Sequence, residues 1–259
     1  QSRLQENRAA VFRQYGTLST LLGQAASELS DSLTPDPARE KRLRRHLTAL
    51  GLEGDAWVYY DRAGHLRCEL AGPDLTPLRR EGERAALSGL MGLPLHPAEE
   101  VSDGPAGTHL VFTQAEPLQA VMGAAARQKG GETVSGDAGG LLRTTDGLLY
   151  VMLCDGMGSG PAASRESKLA VRLLEQFLRA GVQADTALKT LNAALALRSE
   201  EEGGFTTVDL LELDLFTGAA VLYKFGAAPT YLRRGPSVSR SRNRSAMQPM
   251  MPMSTPCRR

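Results

Sequence analysis

"VMLCDGMGSGPAA", Val151 to Ala163, decides how this chain is read. Val151, Met152, Leu153 and Cys154 form a short apolar run of the kind that makes a buried strand. The run ends in Asp155, and glycines then stand at 156, 158 and 160. A core strand has no use for a carboxylate at its last position. Glycines at every second position strip the following backbone of side chains, which leaves it free to turn sharply or to approach another group closely.

The neighbouring residues give that carboxylate company. "TTDG", Thr144 to Gly147, is a hairpin turn between strands at Leu141–Arg143 and Leu148–Cys154. Asp137, in "VSGD", lies about as far before the turn as Asp155 lies after it. Positions equidistant from a hairpin turn face each other across the strand pair, so the two aspartates are expected side by side. Like charges there are unfavourable unless a cation lies between them. Asp209, in "TTVDLLELD", shares a strand face with Leu211, Leu213 and Leu215. A carboxylate on an apolar face must be paired or bind a metal, and no Lys or Arg lies on that face of its own strand.

Three chemistries compete for these residues. Hard divalent cations take carboxylate, carbonyl and water oxygens, which suits Asp137, Asp155, Asp209 and a bare glycine backbone. Asp-Gly after a strand is also an ordinary turn, and the carboxylates would then be structural. A nucleotide loop is the third reading; however, GxGxxG would need glycine where Pro161 stands, and the Gly-Lys pair of a phosphate-binding loop is missing.

Working outward, helices are expected on either side of residue 180. Leu169, Leu173 and Phe177 line one face of the first, with Leu174 and Leu178 beside them, and Gly181 ends it. The second is expected to use Asp185 as N-cap and to turn Leu188, Leu191 and Leu195 inward. Strands follow at 206–215, 219–225 and 230–233, and another is expected at Leu118–Ala126. The pattern is α+β, with antiparallel sheets and helices laid outside them.

Upstream, Leu4, Val11, Leu18 and Ala25 recur every seven residues, with Tyr15, Leu22 and Leu29 as a second row. This is either a long helix packing on its own domain or a coiled coil that dimerises or relays a signal. A helix is expected at Ala38–Leu50, a strand pair at 57–60 and 65–70, and a short helix at Glu81–Met91. His46, His65, His96 and His109 are isolated and read as surface or packing residues. A loop-rich boundary near 94–107 separates this small mixed region from the rest.

The chain has 259 residues, three cysteines and a net charge of +1. No CxxC pair supports zinc, the charge argues against nucleic acid, and no stretch is long and apolar enough to span a membrane. From Pro236 the texture breaks: five Arg, four Met, four Pro and no acidic residue in 24 positions. That tail is expected to be disordered or out of frame.

"VSGD", "CDGMGSGPAASRES", "TTVDLLELD" and "KFGAAPTYLRRG" together resemble the PPM/PP2C metal-dependent serine/threonine phosphatases, and within them the bacterial sporulation branch. "FRQYG" at Phe12–Gly16 is similar, more loosely, to the regulatory segment ahead of such phosphatases. The resemblance implies a β-sandwich flanked by helix pairs. It divides the chain into a helical and mixed α/β regulatory region (1–108), a PP2C-like phosphatase domain, C-terminally incomplete (109–235), and the tail (236–259). It implies two Mn²⁺ or Mg²⁺ ions bridged by Asp155, with the Gly156 carbonyl, Asp209 and Asp137 as further ligands. The nucleophile would be a metal-bound water, so no catalytic side chain is needed.

The implied substrate is phosphoserine on an anti-anti-sigma factor, in the activation of a sporulation sigma factor. Self-association or contact with the division machinery would run through the N-terminal region. The chain would be cytoplasmic, and its parent protein membrane-anchored. The family closes its metal site with one more aspartate near the C-terminus, whereas the last acidic residue here is Asp214. Truncation or a lost reading frame near Pro236, with impaired activity, is therefore expected. A degenerate phosphatase fold serving as a phosphoprotein scaffold is the alternative. The cation that contacts phosphate is open, with Arg127 and Lys129 near "VSGD" as candidates.

Overall fold

In the computed structural model, the residues described are 16, 18–23, 33–61, 63–97, 99–100, 107–127, 130–131, 134–202, 206–241 and 245–247. Residues 18–23 are helical, and the rest of the expected heptad helix lies outside the described residues, as does Lys129. The chain forms two compact units, one over Asp31–Pro117 and one from Leu118 onward.

In the first unit, α1 (Pro37–Ala49) starts where the chain's chemistry favours a helix. Pro37 needs no backbone partner at the first turn, and the Asp36 side chain accepts from the Arg39 N–H at 3.0 Å. Gly51 follows with φ +68°. Strands β1 (Thr34–Pro35), β2 (Asp55–Tyr60), β3 (Leu66–Gly72), β4 (Glu99–Glu100) and β5 (Thr108–Thr113) form one antiparallel sheet in the order β1-β2-β3-β5-β4. Alternation along the strands turns Val58, Leu70 and Phe112 into one core with Leu43 and Leu47 of α1. Helix α2 (Glu81–Met91) adds Leu87 and Met91. The helix and strand expectations here are met to within a few residues.

The second unit is built on β6 (Asp137–Arg143), β7 (Leu148–Asp155), β8 (Val208–Asp214), β9 (Ala220–Phe225) and β12 (Ser245–Met247). They form an antiparallel sheet in the order β12-β9-β8-β7-β6. The Thr144–Gly147 turn closes the β6–β7 hairpin, with Gly147 at φ +83°. Helices α3 (Gly160–Arg179) and α4 (Ala184–Glu202) share one core with the inward residues of the sheet. Leu174 and Leu178 of α3 and Leu188 and Leu191 of α4 meet Met152 and Leu210 there. Each such leucine contributes about 1.5–3 kcal/mol through burial. The α+β class, with antiparallel sheets and flanking helices, is as expected. Alternation then places Asp137, Asp155, Asp209 and Lys224 together on the face away from this helix core.

Four details differ from the sequence reading. Residues 118–126 make no strand: they are extended, and Val121 is fully exposed. The segment is apolar enough for a strand but has no ladder partner among the described residues. In α3 the most buried stripe is Ala163, Ser167, Ala170, Leu174 and Leu178, which turns Leu169, Leu173 and Phe177 to its flank. Small residues set the inner line over the first half of the helix and bring it close to the sheet, and Leu174 and Leu178 continue that line. Asp185 lies within α4 and pairs with Lys189 at 2.5 Å instead of capping the helix. Finally, the tail expected to be disordered supplies β11 (Ser237–Ser241), paired with β10 (Thr230–Arg234), and β12 on the β9 edge. Backbone ladder bonds hold such strands without any apolar periodicity to announce them.

Candidate metal centre

Asp137 opens β6 and Asp155 closes β7, and the register sets them directly opposite one another. Partial loss of solvent, then the hydrogen bond and the charge of Asp137, raise the Asp155 carboxyl above the ordinary aspartate range.

The Asp155 backbone is held from the other side by β8. Its carbonyl accepts from the Thr207 N–H at 2.8 Å and from Thr206 Oγ1 at 3.0 Å, and its own N–H donates to Thr207 Oγ1 at 3.2 Å. The two threonines of "TTVD" therefore carry the placement of Asp155. The sequence reading missed them, because a Thr-Thr pair ahead of a strand carries no distinctive signal.

The glycines have separate reasons. A Cβ on Gly156 would lie 2.2 Å from the carbonyl oxygen of Ala163, so only glycine lets the first turn of α3 pack this closely. Gly158 and Gly160 adopt φ +89° and +75°, in the left-handed region. The loop carbonyls lie near the residue before Asp137: a Cβ on Gly136 would sit 3.6 Å from Gly156 O and 3.8 Å from Gly158 O. Two facing carboxylates beside a loop with nearby carbonyl oxygens offer oxygen donors of the hard kind that Mg²⁺ and Mn²⁺ prefer. The residues fit such an ion, with water completing its shell.

Asp209 shares this face but has other company. It stands opposite Leu153 of β7, one step along from Asp155, and opposite Lys224 of β9. Lys224 Nζ donates to Asp209 Oδ2 at 2.5 Å, and Thr230 Oγ1 lies 3.3 Å from the same oxygen. The missing cation on this face thus comes from the neighbouring strand, where a lone Lys in "AVLYKF" was the available signal. Asp209 Oδ1 is buried and has no hydrogen-bond partner among the described residues. The structure brings Asp137 and Asp155 together and gives Asp209 a separate partner. Among the described residues, no three His, Cys, Asp or Glu side chains cluster closely enough to hold a metal. Arg127 is described and exposed, outside any strand.

Cys154, beside Asp155, is buried, and its thiol is pushed up to about 12 by desolvation and then by the charge of Asp209. It is no nucleophile at neutral pH. Among the described residues, no helix is long and apolar enough to cross a membrane.

Known proteins resemble this chain in sequence and in fold. Residues 145–253 match the family Stage II sporulation protein E (SpoIIE). The chain is 29% identical over 254 residues to stage II sporulation protein E of Priestia megaterium, covering 92% of this chain and 41% of that protein. To its counterpart in Bacillus subtilis (strain 168) it is 28% identical over 244 residues, covering 91% and 29%. The chain therefore spans less than half the length of either relative. The solved PP2C phosphatase domain of B. subtilis SpoIIE, with a fragment of its regulatory domain, matches with a TM-score of 0.64 at 23% identity. That match covers 96% of this chain and 78% of the solved one. The chain is similar to stage II sporulation protein E over nearly its whole length, and it shares the fold of that solved PP2C phosphatase domain.

Proposed function

We propose that this chain is the phosphatase-bearing part of a sporulation regulator, a metal-dependent protein serine phosphatase. Its substrate would be phosphoserine on an anti-anti-sigma factor, and its effect the release of a sporulation sigma factor. The observation that carries the reading is the facing Asp137–Asp155 pair, with the Gly156 and Gly158 carbonyls close to Gly136, the residue before Asp137. Its cofactor is Mn²⁺ or Mg²⁺, held by Asp137, Asp155 and the Gly156 carbonyl, with Asp209 on the same face. The bound ions supply an activated water and neutralise charge on the phosphoryl group.

The chain's own residues do the rest. Thr206 and Thr207 fix the Asp155 backbone, so its carboxylate keeps its aim at Asp137. The loop from Gly156 to Gly160, with glycine at every second position, would leave room for a phosphorylated peptide beside Met157 and Ser159. The first turn of α3 sits directly behind it and presents the positive end of a 20-residue helix.

The test is hydrolysis of a phosphoserine-bearing anti-anti-sigma protein with Mn²⁺ titrated in. Turnover that rises with Mn²⁺ and is lost in Asp155→Asn supports the phosphatase. Because only two carboxylates converge among the described residues, turnover is expected to be slow. That same shortage is the observation favouring a second reading, a phosphatase fold that docks the phosphoprotein without hydrolysing it. Phosphate-dependent binding with no release of phosphate at any Mn²⁺ concentration would decide for the scaffold.

A further inference from the structure

Lys224 is the most deeply buried cation of the sheet, its side chain 1% exposed, and its partner Asp209 is 19% exposed. The ammonium donates to Asp209 Oδ2 at 2.5 Å and to Thr230 Oγ1 at 2.7 Å, and Thr230 Oγ1 reaches the same carboxylate oxygen. These three groups tie the start of β10 to β9 and β9 to β8. A lysine desolvated this fully costs several kcal/mol unless its charge is paired and hydrogen-bonded; Asp209 supplies the charge and Thr230 a further acceptor. It lies on β8 two residues beyond Thr207, and Thr206 and Thr207 are the residues that grip the Asp155 backbone.

We infer that Lys224, Asp209 and Thr230 form a positioning clamp for Asp155, and that Asp209 acts through the strand and not as a ligand of the ion. The clamp pins β8 in register against β9. Pinned there, β8 presents the Thr207 N–H and both threonine hydroxyls to Asp155 at fixed height, which aims its carboxylate at Asp137. Asp209 Oδ2 is committed to Lys224, and Oδ1 is enclosed without a partner among the described residues. The residue directly opposite Asp209 on β7 is Leu153, not a member of the Asp137–Asp155 pair. Where an ion binds, partners behind its ligands tune affinity by about 10- to 100-fold.

The ion-binding arm of the test rests on the function proposed above, and a second arm does not. Mn²⁺ affinity and stoichiometry are measured by calorimetry on the full chain, and the bound ion's paramagnetic resonance spectrum is recorded. Lys224→Met is expected to weaken Mn²⁺ about tenfold with stoichiometry unchanged, and Lys224→Arg to recover most of the loss. Thr230→Val, which keeps the charge pair and is safe for folding, is expected to weaken binding about threefold. If Asp209 were a ligand held back by the lysine, Lys224→Met would tighten Mn²⁺ and Asp209→Asn would remove an ion from the stoichiometry. Either result overturns the clamp, as does unchanged affinity in Lys224→Met.

The second arm is hydrogen exchange at the Asp155 and Thr207 amides without metal. Exchange about tenfold faster in Lys224→Met, or about threefold in Thr230→Val, with restoration by Lys224→Arg, supports the clamp; unchanged exchange sinks it. Should the wild-type chain bind no Mn²⁺, the metal reading falls, and amide exchange alone judges the clamp.

Discussion

Replacing Asp155 with Asn should make the metal-free chain more stable, although it removes the residue at the centre of the proposed site. The register puts Asp155 directly opposite Asp137, which places their side chains about 5 Å apart. Two unit charges at that distance repel by about 3 kcal/mol at an effective dielectric of 20 and about 0.8 kcal/mol in water. Both residues are exposed, so solvent screening selects the low end, about 1 kcal/mol. For a unit of this size, that is about 2–4 °C in Tm.

The pH dependence follows from the direction of the shift. The folded carboxyl is raised above its ordinary value of 3.8 by burial and by Asp137. The folded state therefore holds the proton more tightly than the unfolded chain does. The stabilisation this gives is complete below the ordinary aspartate range and is lost as pH rises through the raised value. The Asn variant does not titrate, so its advantage should be near zero at pH 3 and grow to its full size by pH 7.

Thermal and urea unfolding with a chelator present, at intervals from pH 3 to 7.5, measures this. Saturating Mn²⁺ should invert the order: at 100 times Kd the wild type gains about 2.7 kcal/mol and the variant little. A variant less stable than wild type at pH 7 without metal, or a gap that does not change with pH, would refute the like-charge reading.

Other outcomes follow from the same geometry. Gly156→Ala forces a methyl to 2.2 Å from Ala163 O; it should cost about 1–3 kcal/mol in urea unfolding and remove Mn²⁺ binding. Thr207→Val deletes the hydroxyl that accepts from the Asp155 N–H; it should cost about 1 kcal/mol and weaken Mn²⁺ binding, whereas Thr217→Val, in the β8–β9 turn, should leave Mn²⁺ binding unchanged. Cys68 and Cys154 are buried, and both thiols are pushed up to about 12 by desolvation first. Iodoacetamide at pH 8 should leave both unlabelled in the native chain and modify them in urea, as read by peptide mass spectrometry. Leu174→Ala removes a fully buried side chain of α3 and should cost about 2–5 kcal/mol.

The sequence by itself determined the local elements and one half of the site. Hairpins are written in contiguous residues: the Thr144–Gly147 turn and the alternation beside it dictate the register, and the register dictates that Asp137 meets Asp155. The α3–α4 pair and both helices of the first unit were legible for the same reason, since 3.6-residue periodicity and end signals are local. What surrounds Asp209 was not local. Its own strand shows only leucines on that face, and Lys224 enters from β9 by pairing across the sheet, with Thr230 brought in from β10. Strand pairing also decided against residues 118–126 and in favour of 237–241, because a strand exists only where a neighbour accepts its ladder bonds. The glycines after Asp155 belong half to each side. Their presence showed that the backbone needed freedom, and the tertiary structure assigned it: one close approach at Gly156 to the first turn of α3, and two left-handed residues, Gly158 and Gly160, that turn the chain into that helix.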